Sequence, residues 1–488
     1  MSAASSGDAD IPVAGATQSV PAHVAPALSR SLSPRHVTMI SIGGIIGAGL
    51  FVGSSAAIAG AGPAVVLSYL IAGTMILLVM RMLAEMASAL AGVRTFTEFT
   101  RAGLGRGAGF VAGWLYWYFW VIVVPVEAIA GAGLLHLWIP QVPTALLGVA
   151  LVLIMTGVNL MSARSYGEFE FWFASIKVAA ILVFIALAAA YLLGVAVPVG
   201  AASAGAGAAG LPGHAGSPGL HNLTAYGGFA ARGPLAVLAG VATVFFSLTG
   251  AEITTVAAVE SRDPTRALTR MTTSVISRIV LFYVVSIFLI VAVVPWNRIV
   301  PGESPFTHAL VTMHFRWASQ FMTAIILTAV LSCLNSAFYV TSRVLFTLAA
   351  NHDAPAWLVR LNARRVPARS VMIGCAAGLG GILAATWSYS RVFAFLINAS
   401  GALIVFVYLL TACAQLRLRR LRRLGGAPPP PVRMWWHPWA SYLAIVGMLA
   451  VLAAMAATPE LASQLYVSLA ALVAVIAVYA LLVRRRVS

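Results

Sequence analysis

A run of about 20 apolar residues is the length of helix that crosses the hydrocarbon core of a bilayer. Such runs recur along nearly all of this 488-residue chain. Twelve are read, near 36–60, 63–90, 108–138, 143–160, 169–193, 234–259, 275–295, 319–349, 371–388, 392–414, 439–457 and 464–483. No other feature restricts the fold as severely. Inside lipid every backbone N–H and C=O needs a partner, and a helix supplies all of them within itself. Charged residues are only 9% of the chain and hydrophobic ones 61%, whereas soluble domains carry about 25% charge. The expected class is an all-α membrane protein with 12 transmembrane helices.

The formal net charge of +17 raises the question of nucleic acid, and its distribution answers it. With twelve spans and the N-terminus inside, Arg94, Arg101, Arg106, Arg262, Arg266, Arg270, Arg360, Arg364, Arg365, Arg369, the cluster Arg417 to Arg433, and Arg484 to Arg486 fall on one side. Only Arg232, Arg298, Arg316 and Arg391 fall in loops on the other. The positive-inside rule then places both termini in the cytoplasm of a multi-pass protein of the cytoplasmic membrane. The basic charge reads as topology and contact with anionic lipid, with no nucleic acid as partner.

Residues 1–33 are polar and rich in Ala, Ser and Pro, without the apolar core of a cleavable signal, and are expected to be a disordered cytoplasmic tail. Residues 194–233 form the longest outer loop, flexible and low in complexity. A cytoplasmic linker is expected over 415–438, stiffened by GGAPPPP at 425–431. Residues 439–488 supply the last two helices and a basic C-terminus. Cys333, Cys375 and Cys413 all sit in predicted spans with no spaced framework, so neither a disulfide scaffold nor a metal site is expected. No phosphate loop, zinc motif or nucleophile elbow is present, which argues against an enzyme and against ATP-driven transport.

Against this background MISIGGIIGAGLFVGSS, residues 39–55, is anomalous, because Gly43, Gly44, Gly47 and Gly49 interrupt the first span. Each glycine inside a helix costs roughly 0.5–1 kcal/mol relative to alanine. A second interruption, FFSLTGAEITT at 245–255, falls in span six. Spans one and six each begin a set of five, and five is odd, so the sets enter from opposite faces. Broken helices at matching positions in oppositely oriented halves point to an inverted-repeat transporter, with repeats at 34–193 and 234–414.

A half-helix starting near Gly47–Gly49 offers unpaired N–H groups and the positive end of a dipole, suited to a carboxylate. The half-helix ending before it offers carbonyls suited to an ammonium. Gly43/Gly47 and Gly49/Gly53 are also GxxxG pairs, which pack membrane helices closely. Taken alone the glycines fit either reading; the matched break in span six shifts the balance toward a site.

Six charged positions stand out. Thr249-Gly-Ala-Glu252 fits a capping box, with Thr249 as N-cap of the second half-helix of span six. Glu252 either closes that cap or faces the cavity and attracts a cation, and the two can both hold. Glu127 lies deep in span three with no charged neighbour in sequence, as a functional group or as a carboxyl bonded to the next helix. Lys177 is the only lysine of the chain and lies roughly 13 Å into span five at 1.5 Å per residue. Lysine, unlike arginine, can release its proton when buried; the competing reading is a side chain that snorkels to the interface. Arg81 and Glu85, four apart on span two, are expected to pair structurally, and Arg343 to anchor the inner end of span eight.

Several stretches together resemble the amino acid permeases of the amino acid–polyamine–organocation superfamily: SIGGIIGAGLFVGSS, MRMLAEMA, GWLYWYFWVIVVPVEA, YGEFEFWFASIKV, FFSLTGAEITTVAAVES and SCLNSAFYVTSRVLFTLA. GWLYWYFW…VPVEA followed by LHLWIP is most similar to the GABA permease branch. The resemblance implies a leucine-transporter-like fold, an inverted 5+5 repeat plus two helices. It implies import of a small amino acid, GABA or a similar omega-amino acid, by proton symport with alternating access, driven by the proton gradient and without a cofactor. A permease for proline, an aromatic or a basic amino acid, or an exchanger, is the alternative. It further implies that the Ile45 carbonyl and the amides of Gly47, Ala48 and Gly49 hold the ligand, that carbonyls of Phe246 and Thr249 take an amine, and that Phe246 is an aromatic gate. Lys177 matches a position linked to a coupling ion, and Glu252 one linked to substrate or proton recognition. Ala48 replaces a hydroxyl residue common in the family, as in GABA-type permeases. The partners implied are the substrate, protons and the bilayer, with monomer and homodimer both open.

Overall fold

The computed structural model describes residues 46–90, 96–161, 166–195, 220–250, 252, 279–364 and 366–483. The expected tail at 1–33, Gly43, Gly44 and Ile45, residues 196–219 of the outer loop, the half of span six beyond Glu252 and the basic cluster at 484–486 lie outside these residues.

Among the described residues, each span read from hydropathy contributes helix. The first is a wide π turn, Gly49–Gly53, continuing as α1 (Ser54–Ala61). A tight turn at Gly62–Ala64, with Pro63 in its first positions, redirects the chain into α2 (Val65–Ala89). Then come α3 (Arg106–His136), α4 (Thr144–Met161), α5 (Tyr166–Leu192) and α6 (Gly233–Leu248). A second π turn, Ile279–Val285, leads into α7 (Ser286–Val293). The set closes with α8 (Arg316–Ala350), α9 (Ala368–Ala385), α10 (Tyr389–Leu424), α11 (Trp439–Ala457) and α12 (Pro459–Val478). Short helices at Phe96–Leu104 and Pro305–Thr312 occupy two connections. The helix α10 runs on to Leu424, so the connection to α11 is residues 425–438.

The layers follow from how each helix is coated. α3 is buried on nearly every face and packs against α4, α8, α9 and α10, while α6 packs against α1, α2, α10 and α11. α4 and α12 leave most of their apolar surface uncovered, with Leu146, Leu153, Ile154 and Val473 outward. Lipid tails are as apolar as leucine, so such a surface is at rest in a bilayer and is not a misplaced core.

The spacing of Arg81 and Glu85 predicted a pair on α2, and the structure corrects this. Arg81 Nε donates to the Arg433 carbonyl at 2.8 Å, and its guanidinium lies 4.9 Å from the Trp435 ring centre. Glu85 instead accepts from Arg419 and Gln415 on α10, each at 2.9 Å, and from the Met434 amide at 2.5 Å. A buried carboxylate needs several donors; the returning connection supplies them, and one helical neighbour could not. A second acidic latch joins the ends of α8 and α3, where Asp353 receives Arg101 and its backbone carbonyl accepts from Trp114 Nε1 at 3.0 Å.

Candidate functional site

The chain enters α1 without helical backbone at Ile46 and Gly47 and becomes helical at Ala48. The Gly47 carbonyl then accepts from the amides of Leu50 and Phe51 at 3.3 and 3.4 Å. An α-helical start leaves its first amides without carbonyls one turn back. At Ala48 that amide is met by a side chain, since it donates to both carboxylate oxygens of Glu127 at 3.3 Å. Glu127 reaches it from the middle of α3, two residues past Pro125, whose ring removes one amide from the helix.

The break in span six abuts that entry. Ser247 Oγ donates to the Gly49 carbonyl at 2.7 Å. A methyl group on Gly49 would sit 2.7 Å from Ser247 Cα and 3.3 Å from the Phe246 ring, so only glycine permits this approach. Phe246 is nearly buried and lies 6.3 Å from Phe119 between ring centres. A methyl group on Gly47 would meet Cys333 Sγ at 2.6 Å and Glu127 Oε1 at 3.2 Å. Beside Cys333, Ser332 accepts from the fully buried Lys177 Nζ at 3.1 Å.

The half-helix that a capping box at Thr249–Glu252 would open lies, Glu252 apart, outside the described residues. Thr249 is the C-cap of α6, with φ −69° and ψ 149°. Its hydroxyl donates back to the Phe245 carbonyl at 2.7 Å, and its amide reaches the carbonyls of Phe245 and Phe246. Gly250 follows with φ 112°, a conformation glycine adopts at no steric cost. Its amide donates to Glu252 Oε2 at 2.9 Å.

Glu252 is fully buried, yet three elements solvate it. Tyr116 of α3 and Tyr408 of α10 each donate a phenolic hydroxyl at 3.1 Å, one to each carboxylate oxygen, beside the Gly250 amide. These two tyrosines were not singled out from sequence, since a tyrosine in an apolar run is indistinguishable from a core ring. Ser247 and Cys333 were passed over likewise. A cavity of about 180 Å³ reaches Glu252 and Tyr116 and runs to Arg101 and Arg343, with Tyr339 on its wall. The Arg343 guanidinium stacks 3.4 Å from the Tyr339 ring centre, so the expected anchor is also part of the cavity lining.

Of the residues expected to form a site, Gly47, Ala48, Gly49, Phe246 and Glu127 are in one cluster, with Lys177 joined to it through Ser332 and Cys333. Thr249 and Glu252 lie just past the break in span six, and Glu252 faces the cavity. Ile45 lies outside the described residues.

The family model described as amino acid permease matches residues 36–488. A probable GABA permease of Pseudomonas aeruginosa is 45% identical over 89% of this chain and 88% of its own length. The gamma-aminobutyric acid permease of Escherichia coli is 43% identical over 92% of both chains. That of Bacillus subtilis is 40% identical over 90% of both. A polytopic helical chain that aligns with permeases at this identity over about nine tenths of its length is a transporter and not an enzyme, and it belongs to the amino acid permease family.

Proposed function

We propose that this permease imports GABA or a similar short omega-amino acid together with protons, by alternating access across the cytoplasmic membrane. The observation that carries the reading is the Glu127–Ala48 bond. The amide best placed for a substrate carboxylate is held by a carboxylate of the protein itself. A substrate that docks there must displace Glu127 and leave two anions side by side. At 4 Å such a pair repels by roughly 4 kcal/mol with an effective dielectric near 20. A proton taken up by Glu127, or charge compensation from Lys177, removes that cost, which ties substrate binding to proton binding.

The amine end of the substrate would look to Glu252 and to carbonyls at the end of α6. An engineered apolar cavity of about 150 Å³ holds a benzene, so the 180 Å³ cavity beside Glu252 suits a molecule of GABA's size. The names of the three relatives support GABA as cargo. Breaks in the first and sixth spans fit two inverted five-helix repeats that rock about this site.

The test is uptake of radiolabelled GABA into proteoliposomes under an imposed proton gradient, with a competition panel of proline, aromatic and basic amino acids. Uptake that follows the inward proton gradient and is blocked by short omega-amino acids is expected. Uptake that ignores protons and follows sodium would end the coupling assignment. Competition only by proline, aromatic or basic amino acids would end the substrate assignment, and efflux-dependent uptake alone would make it an exchanger.

A further inference from the structure

A second cavity, of about 330 Å³, lies away from the site, between the ends of α2 and α10 and the connection that follows α10. Its walls carry Arg419, Arg422, Arg423 and Arg433, with Glu85 as the one acidic residue and Pro428–Pro430 as a rigid flank. Glu85 is already committed to Arg419. Among the described residues no carboxylate pairs with Arg422, Arg423 or Arg433. Arg422 is held in place by its terminal nitrogens, which donate to the carbonyls of Ala89 at 2.9 Å and Pro428 at 3.3 Å, while its buried Nε has no partner. The cavity therefore has a fixed guanidinium, two more beside it and no counter-charge to match. Next to Arg433 in sequence, Trp436 and Trp439 are 86% and 75% exposed, and exposed tryptophans mark the headgroup level of a membrane.

We propose that this cavity binds a phosphate-bearing anion. Guanidinium forks recognise planar pairs of acceptor oxygens. A phosphate offers those oxygens on several faces at once, so three arginines can share it. The phosphate arrives either as the headgroup of an anionic phospholipid or as free phosphate.

The full chain is purified into nanodiscs or micelles and examined by native mass spectrometry and thermal shift. One arm compares phosphatidylglycerol with phosphatidylcholine; the other adds inorganic phosphate against chloride at matched ionic strength. The variant replaces Arg422, Arg423 and Arg433 with Gln, leaving Arg419 to Glu85. A control replaces Arg360, Arg364 and Arg369 with Gln, removing the same charge elsewhere. Each basic side chain near an anionic headgroup contributes roughly a fivefold factor, so retention in the triple variant should fall about 100-fold. Selective loss with phosphatidylglycerol identifies a lipid headgroup, and selective loss with inorganic phosphate identifies the free anion. Equal retention by wild type and variant, or equal loss in the control, overturns the proposal. Should the triple variant not fold, Arg423→Gln alone serves: a fivefold loss supports the site and an unchanged affinity refutes it.

Discussion

The hydroxyl of Ser247 donates to the carbonyl of Gly49 across 2.7 Å, joining the end of α6 to the first turn of the opening span. That contact exists only because Gly49 has no side chain. A methyl group there would lie 2.7 Å from the Ser247 backbone, which cannot yield without parting the two spans. Overpacking of this kind costs about 1–3 kcal/mol. Gly49→Ala should therefore lower GABA uptake in proteoliposomes by roughly tenfold or more, each 1.4 kcal/mol being a factor of ten. Gly60 has no atom within 4 Å of an added methyl, so Gly60→Ala should transport normally. It should also melt slightly higher, by the 0.5–1 kcal/mol that alanine gains over glycine in a helix, about the least shift a melt resolves. Wild-type uptake by Gly49→Ala would show that the spans need not touch.

The two phenols on Glu252 have a separate consequence. A hydrogen bond to a charged group contributes about 1.5–3 kcal/mol. Tyr116→Phe and Tyr408→Phe each remove one and leave ring packing intact. Each should weaken substrate affinity by roughly tenfold, and the double change should exceed either single change, because the carboxylate then loses both phenols. Glu252→Gln keeps an acceptor for that amide but loses its attraction for an amine. Its apparent KM for GABA should rise at unchanged melting temperature. A KM equal to wild type in all four variants would remove Glu252 from recognition.

How far these elements could be read beforehand depends on the range of the interaction. The twelve spans were legible because a bilayer imposes length and apolarity on each segment by itself. The breaks at Gly47–Gly49 and Gly250 were legible because glycine is a local backbone signal. At Thr249 the structure shows the side before the break, where the hydroxyl bonds the turn behind it, while the half-helix beyond lies outside the described residues. The pairing of Arg81 with Glu85 failed because the connection at Arg433–Met434, some 350 positions on, outcompeted a neighbour one helical turn away. Tyr116 and Tyr408 were illegible altogether, since their bonds to Glu252 span 136 and 156 positions.

Coupling can be tested apart from binding. Lys177 is fully buried and bonded to Ser332, beside the Cys333 that abuts Gly47. Under the proposed scheme Lys177→Ala abolishes concentrative uptake driven by a proton gradient and spares counterflow, which needs binding and reorientation alone. Glu127→Gln can still accept from the Ala48 amide but has no charge to neutralise. It should likewise exchange substrate without accumulating it. Full accumulation by both variants would exclude the pair from proton coupling.

The last test concerns stability, and it distinguishes the two partners available to Glu85. Glu85→Ala leaves Arg419, Gln415 and the Met434 amide without their acceptor. Removing one partner of a buried ion pair costs about 3–5 kcal/mol; Arg419 is 29% exposed, so the lower end, about 3 kcal/mol, is expected. Arg81→Gln loses one bond to a carbonyl and one ring contact, together about 1–2 kcal/mol. The decisive measurement is a pair of double-mutant cycles on melting in detergent. Residues in direct contact couple by about 0.5–3 kcal/mol, whereas sites well apart with no shared partner add. Glu85 with Arg419 should therefore be strongly non-additive, and Glu85 with Arg81, which have no direct bond and act on each other through charge, should couple more weakly. The reverse pattern would restore the helical pair and detach the end of α10 from α2.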